Sequence, residues 1–316
     1  MENDHFLHAY YFDKDGKAKI SDMQMDNEGY HWFHMCAMDS KTRKFLEKDM
    51  DPIITDAMLA EETRPRILAK DNGALIILRA MNLYEGEEPE DMISIRIWID
   101  EKKIISTRRR DIKAIEDIIR FIEERKPIPG PCDFLIIITD RLFQRMEPFL
   151  IQLEENISKA EENLAADKRD EILEDAAFVR KRTAIFLRYI TPQKVVLEEL
   201  LKTNFKWLRE EHKEHLAESL DRVTRYVEEL YELRDRSQIL NDEINNLHNR
   251  RLNDITYIFS VAATIFLPLS FLTGLMGINI GGMPGVESGS AFWIFTSLCI
   301  FIIAAQVIIF RKLKWF

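Results

Sequence analysis

Few side chains in this 316-residue chain are arranged to do chemistry, and most of those that are fall on one stripe. Asn253, Thr256, Ser260, Ala263, Leu267, Ser270, Gly274 and Gly277 follow an unbroken 3-4 spacing, which puts them on one face of an α-helix. All but Leu267 are small or polar, while bulky Ile, Phe and Leu occupy the other faces. Such a stripe either packs closely against another helix or lines a path for water and ions. Carried backward, the spacing meets Asn249, Asn246, Asp242, Ile239, Asp235, Glu232 and Glu228, so the face turns asparagine-rich and then acidic. Helix packing explains the small residues alone and a solvated face explains the acids alone. A water-filled cation path explains the whole stripe. Carried forward, the stripe ends in "GINIGGMPG", a knot of glycines around Asn279. An amide oxygen there can hold the ordered water of a hydrated dication without the tight binding that would trap it. It is a poor direct zinc ligand beside His or Cys.

Two other groups of residues have metal-ligand chemistry. In "REEHKEHL", His212 and His215 stand at i, i+3 with Glu211 and Glu214 beside them, and on a helix they share a face that could bind zinc. A charged, exposed helix start accounts for the same residues without a third ligand. In "HWFHMC", His34 and Cys36 share one face of an expected strand, an arrangement that serves packing more often than metal. No phosphate-binding P-loop, GxSxG or HExxH occurs, so an enzyme is not expected and no cofactor is called for. The net charge of −10 argues against a nucleic-acid partner. Cys36, Cys132 and Cys299 lie far apart, which suits a reducing compartment. The opening "MENDHFLHAYYFDKDG" has neither the basic stretch nor the apolar core of a secretory leader.

The elements that must position the stripe follow from charge patterning. Ile255 to Ile278 is a run of 24 residues without charge, and Ala291 to Phe310 is a second of 20. At ~1.5 Å per residue the first spans roughly 36 Å, enough for a hydrocarbon layer of ~30 Å. Two such runs, adjacent and terminal, read as transmembrane helices rather than buried core helices. Arg250 and Arg251 precede the first, Arg311, Lys312 and Lys314 follow the second, and the connecting loop carries only Glu287. Both termini are therefore expected in the cytoplasm. Trp293 and Trp315 suit the two interfaces of the second span.

Ahead of the spans, the chain has two textures. Strand-like runs come first ("YHWFHMCAM", "PRILAKD", "ALIILRAMNLY", "MISIRIWID", "KIISTRR"), with Asn72-Gly73 as a hairpin signal and Glu85 to Asp91 as a polar turn. A helix is expected from Asp111 to before Pro127, then long helices with a break near Thr191-Pro192. From about Glu214 no Pro or Gly interrupts a helix that runs into the first span. Leu216, Leu220, Val223, Val227 and Leu230 give it an apolar seam, which turns polar at Arg234, Ser237 and Asn241. Two spans cannot enclose a pore, so a cation path demands a ring of subunits with the first span innermost.

The stretch "RLNDITYIFSVAATIFLPLSFLTGLMGIN" resembles the signature region of the CorA superfamily of divalent metal ion transporters. The long stalk, Pro268 in the first span and Gly277-Ile278-Asn279 after it carry the likeness, and the layout extends it over essentially the whole chain. Gly-Ile-Asn in place of the usual Gly-Met-Asn, followed by "IGGMPG", is similar to the ZntB-like zinc transporter branch. The resemblance implies a mixed α+β and α/β cytosolic head on a long helical stalk, two C-terminal transmembrane helices, and a funnel-shaped homopentamer in a bacterial inner membrane. The expected organisation is a cytosolic domain at 1–254, with the head at about 1–130 and long helices and stalk at about 131–254. The membrane domain follows at 255–316, with spans at 255–278 and 291–310, an extracellular loop at 279–290 and a cytosolic tail at 311–316. The transported ion implied is zinc, with a magnesium or cobalt channel of the same superfamily, or a non-transporting scaffold or sensor, as alternatives.

Overall fold

The computed structural model describes residues 6–21, 28–164, 169–278 and 288–312. The chain divides into two compact units, Met1–Asn241 and Asp242–Phe316.

The first unit is built on a seven-stranded sheet of order β2-β1-β3-β7-β6-β5-β4. Its strands are β1 (Phe6–Phe12), β2 (Ala18–Ile20), β3 (Tyr30–Cys36), β4 (Arg66–Lys70), β5 (Gly73–Ala80), β6 (Ile93–Ile99) and β7 (Lys103–Arg108). Among the described strands, only the central β3–β7 pairing is parallel. Alternation of side chains across the sheet sorts β3 in two directions. Phe33 and Met35 join a core with Leu46 of α1 (Ser40–Asp49), Ile54 and Met58 of α2 (Pro52–Leu59), and Leu75, Ile77 and Ile105 of the sheet. Trp32 points the other way and meets Phe134 of α4 (Pro131–Gln144), with ring centroids 4.9 Å apart. Burial on both faces is why "GALIILRA" reads as a continuous apolar run rather than an alternating one.

Local chemistry starts the two short helices. Asp39 caps α1 by accepting from Lys41 N at 2.8 Å, and Asp51 caps α2 by accepting from Ile53 N at 2.8 Å, with Pro52 in the first turn. The Asn72-Gly73 signal does mark a hairpin: Lys70 pairs with Gly73, and the left-handed residue is Asp71, at φ 53°. Gly73 is required for a different reason. A Cβ there would meet Trp98 Cζ2 at 2.5 Å and Ile99 O at 2.9 Å.

The helices that follow are α3 (Lys113–Glu123), α4, α5 (Glu147–Asn163) and α6 (Arg169–Lys202). The break expected near Thr191-Pro192 is absent, because α6 runs 34 residues with Pro192 inside it. Packing on both sides of the proline outweighs its lost hydrogen bond. Ile190, Gln193, Val196 and Leu197 are all buried, and Gln193 Oε1 accepts from Arg79 N of β5 at 2.9 Å.

Helix α7 (Glu210–Met276) is 67 residues, about 100 Å long at ~1.5 Å per residue. Within the first unit it is tied down at its start. Trp207, just ahead of it, donates to Asn72 O at 3.0 Å, and Ser219 Oγ donates to Asp140 Oδ1 of α4 at 2.8 Å. Its apolar seam holds Leu216, Val223, Val227 and Leu230 as expected, but does not turn polar at Arg234. Leu233, Ser237 and Leu240 continue it, while Arg234 is exposed. The buried row keeps a 3-4 rhythm from Leu230 by stepping to Leu233, one position before the arginine.

The second unit holds the end of α7 and α8 (Ala291–Lys312), 22 residues long. These two helices are long and apolar enough to cross a membrane.

Candidate functional site

In the second unit every described member of the stripe lies at the surface of the chain: Asn253, Thr256, Ser260, Ala263, Leu267, Ser270, Gly274 and Gly277 are all exposed. Leu267, its one bulky member, is 69% exposed. Exposure drops on a different side, at Val261, Ile265, Leu269 and Leu272. At 100° per residue the two sets are centred about half a turn apart. Helix α8 meets α7 away from the stripe, where Gln306 Nε2 donates to the backbone carbonyl of Thr264 at 2.9 Å. The small and polar face, like most of this stretch of α7, is left open by α8.

Some of the hydroxyls on this part of α7 are committed as donors. Ser260 Oγ donates to Thr256 O at 2.8 Å, and Thr264 Oγ1 donates to Ser260 O at 2.7 Å. A hydroxyl whose hydrogen is bonded back to the helix presents lone pairs outward. Those lone pairs suit water polarised by a cation, which donates strongly. Gly274 has no heavy atom within 4 Å of where a Cβ would stand. Its smallness is not demanded by its own chain. Gly277 closes α7, donating to Thr273 O at 2.9 Å, and Ile278 is exposed. Asn279 and Gly281, Gly282 and Gly285 lie outside the described residues.

Glu228, Glu232 and Asp235, in the first unit, are exposed, as is Asp242 in the second. Asp235 pairs with its neighbour Arg234 at 3.0 Å. Glu232 also borders a cavity of about 150 Å³ lined by Leu150, Glu154, Glu229, Leu233 and Arg236. Burial pushes the Glu229 carboxyl above its usual range, with Arg225 opposing and Glu154, Glu147 and Glu232 adding to the rise. Arg236 answers this crowd, yet its own bonds go to Glu161 Oε2 at 2.6 Å and Oε1 at 2.8 Å.

His212 and His215 are not presented together. His212 is 3% exposed, and its Nδ1 accepts from Arg209 N at 3.1 Å, which satisfies a backbone donor at the helix start. Its Nε2 stands 3.6 Å from Asp133 Oδ1. Burial, more than any charge, lowers its pKa, while Asp133 pulls the other way. His215 is exposed. Among the described residues no group of three or more His, Cys, Asp or Glu side chains is placed to hold a metal ion. His34 is fully buried, and its Nδ1 lies 2.8 Å from Ser106 Oγ, which also accepts from Trp32 Nε1 at 2.8 Å. It is part of the core, and Cys36 lies at the end of the same strand.

A separate cavity of about 700 Å³ in the head is lined by Arg64, Arg79, Arg188, Tyr189, Glu90 and Asp91, among others. Several of its charges are answered locally. Arg110 bonds Asp91 at 2.7 Å, Arg182 bonds Glu90 at 3.2 Å, and Arg79 donates to the carbonyls of Met92 and Thr63.

A folded head of sheet and helices, with two later helices long and apolar enough to cross a membrane, is the layout of a membrane protein with a large extramembrane part. The family described as CorA-like Mg2+ transporter protein matches residues 27–312, and the chain belongs to it. It is 32% identical to the zinc transport protein ZntB of Pectobacterium atrosepticum over 98% of this chain and 95% of that protein. It is 30% identical to the divalent cation transporter CmaX of Pseudomonas aeruginosa, covering 95% and 92% of the two chains. The solved full-length CmaX protein superposes with a TM-score of 0.83 at 28% identity, covering 98% of each chain.

Proposed function

We propose that this protein transports divalent metal cations across a bacterial inner membrane, zinc foremost, through a pore lined by the first span. Residues 1–254 form its cytosolic domain and residues 255–316 its membrane domain, with both termini cytoplasmic and the 279–290 loop outside. Five copies surround the path, each turning its stripe from Asn253 to Gly274 inward, with Gly277-Ile278-Asn279 at the mouth. Glu228, Glu232, Asp235 and Asp242 form the acidic approach from the cytosol. No residue is assigned a catalytic step.

The observation that carries this reading is the side of the first span left open. A stripe of small and polar residues facing lipid would be unfavourable, and the second span reaches the first at Thr264, off the stripe. Copies of the same helix are the natural cover, and a ring of them encloses water. Outward lone pairs at Ser260 and five carboxamides at Asn279 suit an ion that keeps its hydration shell. Support for zinc comes from the relatives named for zinc transport, while the family description names Mg2+.

The test is dye-detected metal uptake into proteoliposomes. Zinc is expected to enter faster than magnesium or cobalt, and Asn279→Ala should sharply reduce uptake while leaving the oligomer intact. Asn279→Asp should bind dications tightly and slow their release. Wild-type uptake by both variants would show that the loop is not the filter, and a magnesium preference would select the sister reading.

A further inference from the structure

Pro268 sits in the middle of the first span, inside an unbroken helix. A proline has no N–H, so the carbonyl four residues earlier, that of Thr264, loses its helical partner and is pushed outward by the ring. In hydrocarbon an unanswered carbonyl is costly, because no water is at hand. Gln306 of the second span answers it: its Nε2 donates to Thr264 O at 2.9 Å.

The choice of residue sharpens the point. Gln306 is the one amide in the run "AFWIFTSLCIFIIAAQVIIF". Its Oε1 is shielded from solvent and has no partner among the described residues. An amide with half its capacity unused is a poor residue for a membrane interior, where Leu in the same place would be better solvated by lipid. What distinguishes Gln306 is its donor, and the atom it reaches is the one that Pro268 orphans.

We infer that Gln306 is a positioning residue for the first span. Its amide substitutes for the N–H that Pro268 lacks and fixes the shape of the helix at that break. The second span thereby becomes a brace on the ion path rather than only a jacket around it. The transport consequence rests on the reading above, but the hydrogen-bond substitution does not.

The test is a double-substitution cycle on the full-length protein. Gln306→Leu is expected to lower the thermal midpoint in mild detergent by about 2–4 °C, although it makes the span more apolar. Maximal zinc uptake should fall several-fold with the half-saturating concentration unchanged, since Gln306 does not touch the ion. Pro268→Ala gives residue 268 an N–H that can bond Thr264 O directly. In that background Gln306→Leu should change neither midpoint nor uptake. Gln306→Asn, whose shorter side chain keeps the amide, should fall between wild type and Leu.

A full effect of Gln306→Leu in the Pro268→Ala background would overturn the inference, because a simple packing role would be indifferent to residue 268. No effect of Gln306→Leu in the wild-type background would overturn it as well. If the wild-type protein moves no divalent ion, the transport reading fails, while the midpoints still decide the hydrogen bond.

Discussion

Replacing Asp235 and Asp242 together by Asn should slow cation entry in a way that depends on salt. Both side chains stand in water, Asp235 with 65% of its side chain exposed, so the dielectric is that of solvent and the attraction is modest. Each carboxylate is taken by itself, at about 10 Å from a passing ion. A unit negative charge at about 10 Å raises the local concentration of a dication roughly threefold at ~0.01 M salt, where the screening length is ~30 Å, and about 1.5-fold at ~0.15 M. An ion that comes that close to both carboxylates of one subunit feels the product of the two factors, about sevenfold and about twofold. The assay is the initial rate of zinc entry into proteoliposomes carrying the protein with its head outward, at both ionic strengths and sub-saturating zinc. The double variant should lose several times more rate at low salt than at high salt. Equal slowing at both would refute the electrostatic argument and assign these residues a structural role.

The remaining predictions concern packing, assembly and pH. Gly274→Val should fold as a chain, because nothing lies within 4 Å of its Cβ position. It should nonetheless impair uptake or weaken the oligomer, read by mass in detergent, whose expected value for wild type is a pentamer; a monomeric wild-type protein would remove the basis for a pore. The head should lose thermal stability as pH falls. Burial, with Arg108 and His8 adding, holds His34 well below the usual histidine value of 6.5. The unfolded chain therefore binds that proton more readily, and the stabilisation is full above about 6.5 and declines below it. His34→Gln, neutral at every pH, should flatten the decline in a plot of thermal midpoint against pH; an unchanged slope would show that other groups dominate.

The 3-4 rhythm of the stripe is visible in the chain alone because it survives in an otherwise bulky, uncharged run, and the structure adds that its members from Asn253 to Gly274 are exposed on α7. The central strands were readable because burial on both faces makes them continuous apolar runs. Helix α1 was not anticipated: "SKTRKFLEKD" offers only Phe45 and Leu46, adjacent rather than periodic, and its real signal is the cap at Asp39. Strand β1 hides in "FLHAYYF", where intermediate burial mutes the alternation. Pro192 misled because local chemistry says stop while the packing of Ile190, Gln193 and Val196 says continue. Gln306 had a visible cue, a lone amide in an apolar run, but its partner is a backbone carbonyl that no side-chain pattern reveals.

The one parallel pairing in the sheet has a consequence for how the head comes into being. Strands β4 to β7 form a meander whose neighbours are also neighbours in sequence, so each closes only a short loop. His31 pairs with Lys103, however, and that join cannot form until the whole meander has been made. The β1–β3 portion must therefore wait, as an unattached edge, for β7 to appear. During synthesis the β3 edge is exposed for the time it takes to build everything between it and its partner, a window in which it is open to wrong pairing. The long apolar runs of α7 and α8 come last, so the head has its described strands before those runs exist.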